Sequence, residues 1–264
     1  MIYSADVEKQ LYDPYGVLAI QGGAYSDGNW QARDDNDYNY AMLRGLSYER
    51  RIHAEFYFPD GTVGFRTDCG VRIAASNWSR PRMTLTRPER SPWPSDANQK
   101  PSFNLYFRND YGNPSVTMPL NGPVAPVNTF EKFRVRAGKN DIGLPFVTDE
   151  VVRRMYRDMG NVSTTGVFNS LYVNGELKNY YNMVERLRSP FFGDHHGQTP
   201  GATWDVLAYS NEENGNVAEG DKKAWNDLER LARGTISDAN WEEVLKLADI
   251  DSIIDYYLVN IYMG

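Results

Sequence analysis

The chain has 264 residues, of which 41% are hydrophobic and 24% charged, and its formal net charge is −7. That length and balance suit a globular fold with a sizeable core, and the acidic sum gives no overall basic footprint for nucleic acid. A lone cysteine, Cys69, excludes an internal disulfide framework and a cysteine-based metal cluster, and no apolar run reaches the roughly 18 residues of a membrane helix.

The opening "MIYSADVEKQLYDP" lacks a basic stretch followed by an apolar one, so no signal peptide is read from it; an exported parent would carry its signal upstream. Residues 1–147 read as β-rich. In "ERRIHAEFYFPDGTVGFRTDCGVRIAAS", Ile52, Ala54, Phe56 and Phe58 alternate with other residues, Pro59-Asp60-Gly61-Thr62 makes a turn, and Val63, Phe65, Val71 and Ile73 carry the return. "SFNLYFRNDYG" (102–112) predicts a further strand with Phe103, Leu105 and Phe107 on one face. Between them a segment rich in proline and arginine, 79–101, reads as irregular and exposed.

After a strand in "FEKFRVRAGKND" the pattern changes at about residue 148. "TDEVVRRMYRDMG" predicts a helix with Thr148 as N-cap and Gly160 as its stop. "VFNSLYVNGELKNYYNMVER" (167–186) predicts a β-hairpin turning at Asn174-Gly175. The remainder reads as helical: one helix presents Trp225, Leu228 and Leu231 and stops at Gly234, the next starts at a Ser or Asp cap, and the last places Ile250, Ile253, Ile254, Tyr257, Leu258 and Ile261 at helical spacing. The fold class is α+β, with 1–147 as the β-rich part and 148–264 as an α+β part. The 13% aromatic content is read as β-rich core rather than as a sugar- or base-binding surface.

Candidate chemistry is sparse. His195-His196 beside Asp194 reads as a polar loop, because neighbouring histidines seldom converge on one metal. Asp27, Asp34, Asp35 and Asp37 lack the alternation, central glycine and closing glutamate of a calcium loop. No nucleophile elbow surrounds the serine of "GVFNSLYVNG", and no phosphate-binding loop motif occurs. Arg80, Arg82, Arg87, Arg90 and Lys100 form the one basic cluster, which fits a solvated loop or a phosphate-facing flap.

Several stretches resemble, in order, motifs of the CotH family, the bacterial spore-coat protein H and its secreted relatives, whose fold resembles that of protein kinases. They are "LYDPYGVLA", "HAEFYFPDGTVGFRTDCGVRI", "KPSFNLYFRNDYG", "FRVRAGKND", "LYVNGELKNYYNMVER" and "LADIDSIIDYYLVNIYMG", and they span roughly residues 10–264. The family carries glycines where this chain has Ala74-Ala75. Its lysine before the serine falls on Pro101, with Lys100 one residue out of register, and a family glycine is Asn179. Arg136, Glu185 and Arg186 match.

The resemblance implies a kinase-like fold and, for the full-length parent, binding of ATP and magnesium and phosphorylation of serine or threonine on a surface protein. Arg80, Lys100 and Arg136 would face phosphates, and Glu185 would lie at or near the hinge between lobes or pair with a basic residue there. The catalytic acids are expected beyond Gly264, so the chain is expected to be a fragment. Asp249 and Asp251 read as cap and solvent-face residues rather than metal ligands. The resemblance also implies a secreted or cell-surface protein, and such a fragment is expected either to be marginally stable or to pair in an oligomer through the apolar face of its last helix. The other reading is a surface module that kept the fold and lost the chemistry, binding protein, or carbohydrate through Trp30, Trp78 and Trp93.

Overall fold

The structure is a computed structural model, and it describes residues 2–4, 25–26, 29–30, 45–74, 101–120, 127–138, 146–197, 204–207 and 217–264. Strands and helices are both present, an α+β architecture. Its contacts divide it into two units, one of residues 1–146 and 165–186, the other of residues 147–164 and 187–264.

The first unit is built on a closed barrel of seven strands in the order β1 (Ile2–Ser4), β10 (Gly166–Val173), β11 (Glu176–Glu185), β9 (Lys132–Arg136), β6 (Phe103–Tyr106), β5 (Val63–Ile73) and β4 (Arg50–Tyr57). Neighbours are antiparallel except β1 and β10, which run parallel with Ile2 level with Tyr172. β1 also pairs antiparallel with β4, which closes the ring. Short ribbons pair β2 (Tyr25–Ser26) with β3 (Asn29–Trp30) and β7 (Val116–Thr117) with β8 (Thr129–Phe130).

Alternation decides the inside. Ile52, Ala54 and Phe56 of β4 and Phe65, Cys69, Val71 and Ile73 of β5 point inward, as their spacing predicts. Phe65 stacks on Phe133 at 6.1 Å, and Phe107 meets both edge-on at 5.6 and 5.8 Å. Each such side chain contributes about 1.5–3 kcal/mol on leaving water. The predicted strand over 102–112 is cut short. β6 ends at Tyr106, and Arg108–Tyr111 form a turn in which the Tyr111 N–H donates to the Arg108 carbonyl at 3.0 Å. All four residues of β6 are buried, so its outer face is covered as well as its inner one.

Turn chemistry sets the hairpins. Gly61, at φ +86°, lets the β4–β5 turn close, and the Asp60 carboxylate accepts the Thr62 N–H at 2.8 Å. Asn174 and Gly175 both take positive φ, 49° and 83°, as a two-residue turn between right-twisted strands requires. Asn179 also sits at positive φ, 82°, beside the register shift between Ser170 and Tyr172, where the resemblance placed a glycine.

The second unit holds α1 (Thr148–Asp158), α2 (Ser189–His195), α3 (Lys223–Ala232), α4 (Asp238–Leu247) and α5 (Ile250–Met263), with a ribbon of β12 (Val206–Leu207) and β13 (Val217–Glu219). Among the described residues, no helix is long and apolar enough to cross a membrane. Helix α1 starts one residue earlier than predicted. Val147 takes the cap position without a side-chain bond, and Asp149 and Glu150 supply negative charge to the first turn instead. Ser237 caps α4 by accepting the Asn240 N–H, and Asp249 caps α5 by accepting the Ser252 N–H. Helix α5 packs on α1 through its polar side. The Tyr156 hydroxyl bonds Ser252, the Asn161 amide donates to Asp255 at 2.8 Å, and Tyr156 meets Tyr256 edge-on. The apolar stripe read from the sequence faces away, and Val259 is the buried residue of the helix.

Candidate functional site

Arg136 ends β9, with its backbone level with Asn182 of β11. Buried Phe133 and Val135 occupy the inner face of β9, so Arg134 and Arg136 take the opposite face. Just beyond, the Ala137 N–H donates to the Ser102 hydroxyl at 2.9 Å, and the Ser102 carbonyl accepts the Ala74 N–H at 2.8 Å. These bonds tie the end of β9 to the point where the proline- and arginine-rich segment leaves β5 and returns to β6. Arg80 and Lys100 lie on that segment, outside the described residues, as do Arg82, Arg87, Arg90, Trp78 and Trp93. Lys100 precedes Pro101, which is buried beside this tie, so Arg136 and the chain position of Lys100 are joined through Ser102.

Glu185 is elsewhere on the sheet. It closes β11 level with Phe133, three register positions or roughly 10 Å from the Arg136 level. It shares the parity of the inward-facing Tyr181 and Met183, and it is buried. Leu187, two residues on, is where the chain re-enters the second unit.

A denser charged group lies on the outer face of the first unit, and its members are scattered in sequence. Glu49, just before β4, has a side chain fully removed from solvent. Its carboxylate accepts from Arg108 Nε at 2.9 Å and from Arg108 Nη2 at 3.3 Å, and Arg72 Nε lies 3.3 Å away. Burying a carboxylate is tolerable only with such pairing. The guanidinium of Arg72 lies 4.1 Å from the Tyr106 ring centroid, that of Arg108 at 5.0 Å and that of Arg186 at 5.3 Å. Arg186 Nη1 also donates to the Tyr106 hydroxyl at 3.0 Å.

Hydrogen bonding to Glu49 raises the Arg108 pKa further, and burial together with the Glu49 charge pushes the Tyr111 phenol up to about 12. Gly70 makes room for the carboxylate: a Cβ there would stand 2.1 Å from Glu49 Oε1. The sequence reading missed this group. Its one local signal is Gly70 inside a strand, a position that marks close approach by another part of the chain.

Other sequence candidates are occupied structurally. His53, on β4, bonds Asp68 of β5 through Nδ1 at 2.7 Å, and Arg51 also holds Asp68, so that carboxyl lies below the usual aspartate value. His195 and His196 sit at the end of α2 rather than in a polar loop. His195 packs on Phe191, and His196 stacks on Trp204 at 5.1 Å. The serine of "GVFNSLYVNG", Ser170, lies on β10. Asp27, Asp34, Asp35 and Asp37 lie outside the described residues, and Trp30 is described by its backbone alone. Burial keeps the Cys69 thiol protonated far above its ordinary range.

A family model described as CotH kinase protein matches residues 93–264, which include β6, β9, the β10–β11 hairpin and helices α1 to α5. The motif stretches N-terminal to residue 93 lie outside that match. No curated protein matches the chain.

Proposed function

The chain belongs to the CotH kinase family, and from that premise we propose that it is part of an atypical protein kinase with a kinase-like fold. The reaction of the whole protein is transfer of a phosphoryl group from ATP, with magnesium, to serine or threonine of a surface protein. The protein acts outside the cell or at its surface. The observation that carries this reading is the family match over residues 93–264.

Phosphoryl transfer asks a protein mainly to position its reactants and to neutralise developing charge. Arg136, with Arg80 and Lys100, supplies positive charge toward the phosphates, and the tie between Ser102 and Ala137 holds the end of β9 that carries Arg136. Glu185 stands where the chain passes from β11 toward the second unit. Among the described residues no three His, Cys, Asp or Glu side chains converge as a metal site would require.

Calorimetric titration with magnesium-ATP tests the reading. Saturable binding that requires magnesium, weakened roughly tenfold or more in Arg136→Gln, is the expected result. A folded protein silent toward nucleotide would transfer the function to a surface binding module that keeps the fold without the chemistry.

A further inference from the structure

We propose that Arg72 and Arg108, held on the Tyr106 ring by the buried carboxylate of Glu49, form a docking site for a phosphomonoester, separate from the nucleotide site. Neither Arg136 nor Glu185 is among these residues.

Each guanidinium has five N–H donors in a planar fork. Glu49 takes the Nε and Nη2 edge of Arg108 and lies against Nε of Arg72. Among the described residues, no protein acceptor takes Arg108 Nη1 or the terminal nitrogens of Arg72. Both side chains reach solvent, at 31% and 19% exposure, while Glu49 does not. The carboxylate thus takes one edge of Arg108 and stands against Nε of Arg72, and both guanidiniums sit over one aromatic ring.

Stacking on Tyr106 at 4.1 and 5.0 Å removes much of the freedom that long side chains otherwise lose on binding an anion. A third guanidinium, that of Arg186, stands at the same ring and is anchored to its hydroxyl. Arg72 and Arg108 share the single carboxylate of Glu49, and paired guanidinium forks match the several oxygens of a phosphomonoester better than the two of a carboxylate ligand. A phosphomonoester carries about −1.5 to −2 charge at pH 7 and three acceptor oxygens in a geometry that paired arginines match. The chemistry is shared by a phosphorylated side chain and by a small free phosphate.

The test is a titration of the whole chain, followed through the side-chain Nε–H resonances of Arg72 and Arg108. Inorganic phosphate, O-phosphoserine, a phosphoserine peptide and its unphosphorylated twin are compared. Saturable shifts of both resonances with O-phosphoserine, at a Kd of about 1 mM or tighter near physiological salt, are expected. Tighter binding of the phosphopeptide than of O-phosphoserine would assign the source to a protein, and equal binding to a small molecule.

Arg72→Gln and Arg72→Lys should each weaken binding roughly tenfold, the lysine because a point charge does not replace the fork. No saturable shift up to about 10 mM in the unmodified chain overturns the proposal without relying on a variant. Unchanged affinity in a folded Arg72→Gln protein overturns it too. Equal loss of magnesium-ATP and O-phosphoserine affinity in that variant would overturn the separateness of the site, whereas failure to bind nucleotide alone would leave it standing.

Discussion

The two units secure their elements by different means. In the first, the side chains of Leu105, Phe133, Val135, Leu171 and Met183 are wholly removed from solvent inside a ring of strands. In the second, α3 buries no residue fully and α5 buries only Val259, while Ile261 and Tyr262 are 75% and 79% exposed. Its elements are held by caps at Ser237 and Asp249 and by the bonds of Tyr156 and Asn161 to α5. Apolar burial thus fixes the barrel, and directional polar contacts fix the helices. Substitutions should separate the two.

The largest effect is expected from Phe133→Ala. It empties a fully buried site ringed by Phe65, Phe107 and Phe130, and should destabilise the first unit by about 3–5 kcal/mol in denaturant unfolding. A loss below about 1 kcal/mol would show that the barrel core is not packed as described. Gly70→Ala comes next. Its Cβ forces Glu49 off Arg72 and Arg108, costing about 1–3 kcal/mol, and pairing it with Glu49→Ala should give less than the sum.

Tyr156→Phe, in the second unit, removes the hydroxyl that bonds Ser252, for about 1 kcal/mol. Hydrogen exchange should show the loss in α1 and α5 and leave the barrel strands protected.

Smaller still is a pH effect at Asp68. Its carboxyl is held low first by the hydrogen bond from Arg51 and then by that from His53, so the unfolded chain takes up the proton before the folded one. The stabilisation is present above the usual aspartate value of about 3.9 and is lost as pH falls through the lower folded value. The site is partly exposed, so the contribution should be at most about 0.5 kcal/mol, and Asp68→Asn should flatten that portion of an acid titration. Ile261→Ala should change folding stability least, by less than about 0.5 kcal/mol. A large loss there would mean that the exposed stripe is covered in solution.

Local chemistry was legible in the sequence. Asn174-Gly175 determines its turn because few residue pairs accept two positive φ values, and Asp249 announces itself as a cap by preceding an apolar run at helical spacing. The β4–β5 hairpin was readable from its Pro-Asp-Gly turn, in which Gly61 takes the positive φ. What escaped was contact between residues far apart in the chain. Glu49 and Arg108 are separated by 59 positions and Arg186 and Tyr106 by 80, and only sheet register brings them to one ring. At α5 the spacing identified a helix but could not say which side α1 would take. At β6, alternation implied an open outer face that the structure covers.

The closure of the barrel has a kinetic consequence. Ile2 lies level with Tyr172, so the strand that completes the ring waits for a partner some 170 residues later in the chain. β4 and β5 can form their hairpin as soon as both are synthesised, whereas β1 can be clasped on both sides only after β10 exists. Distant pairings of this kind slow folding because the loop must close before any contact rewards it. Until then, the exposed edges of β4 and β10 are where a nascent chain is open to mispairing.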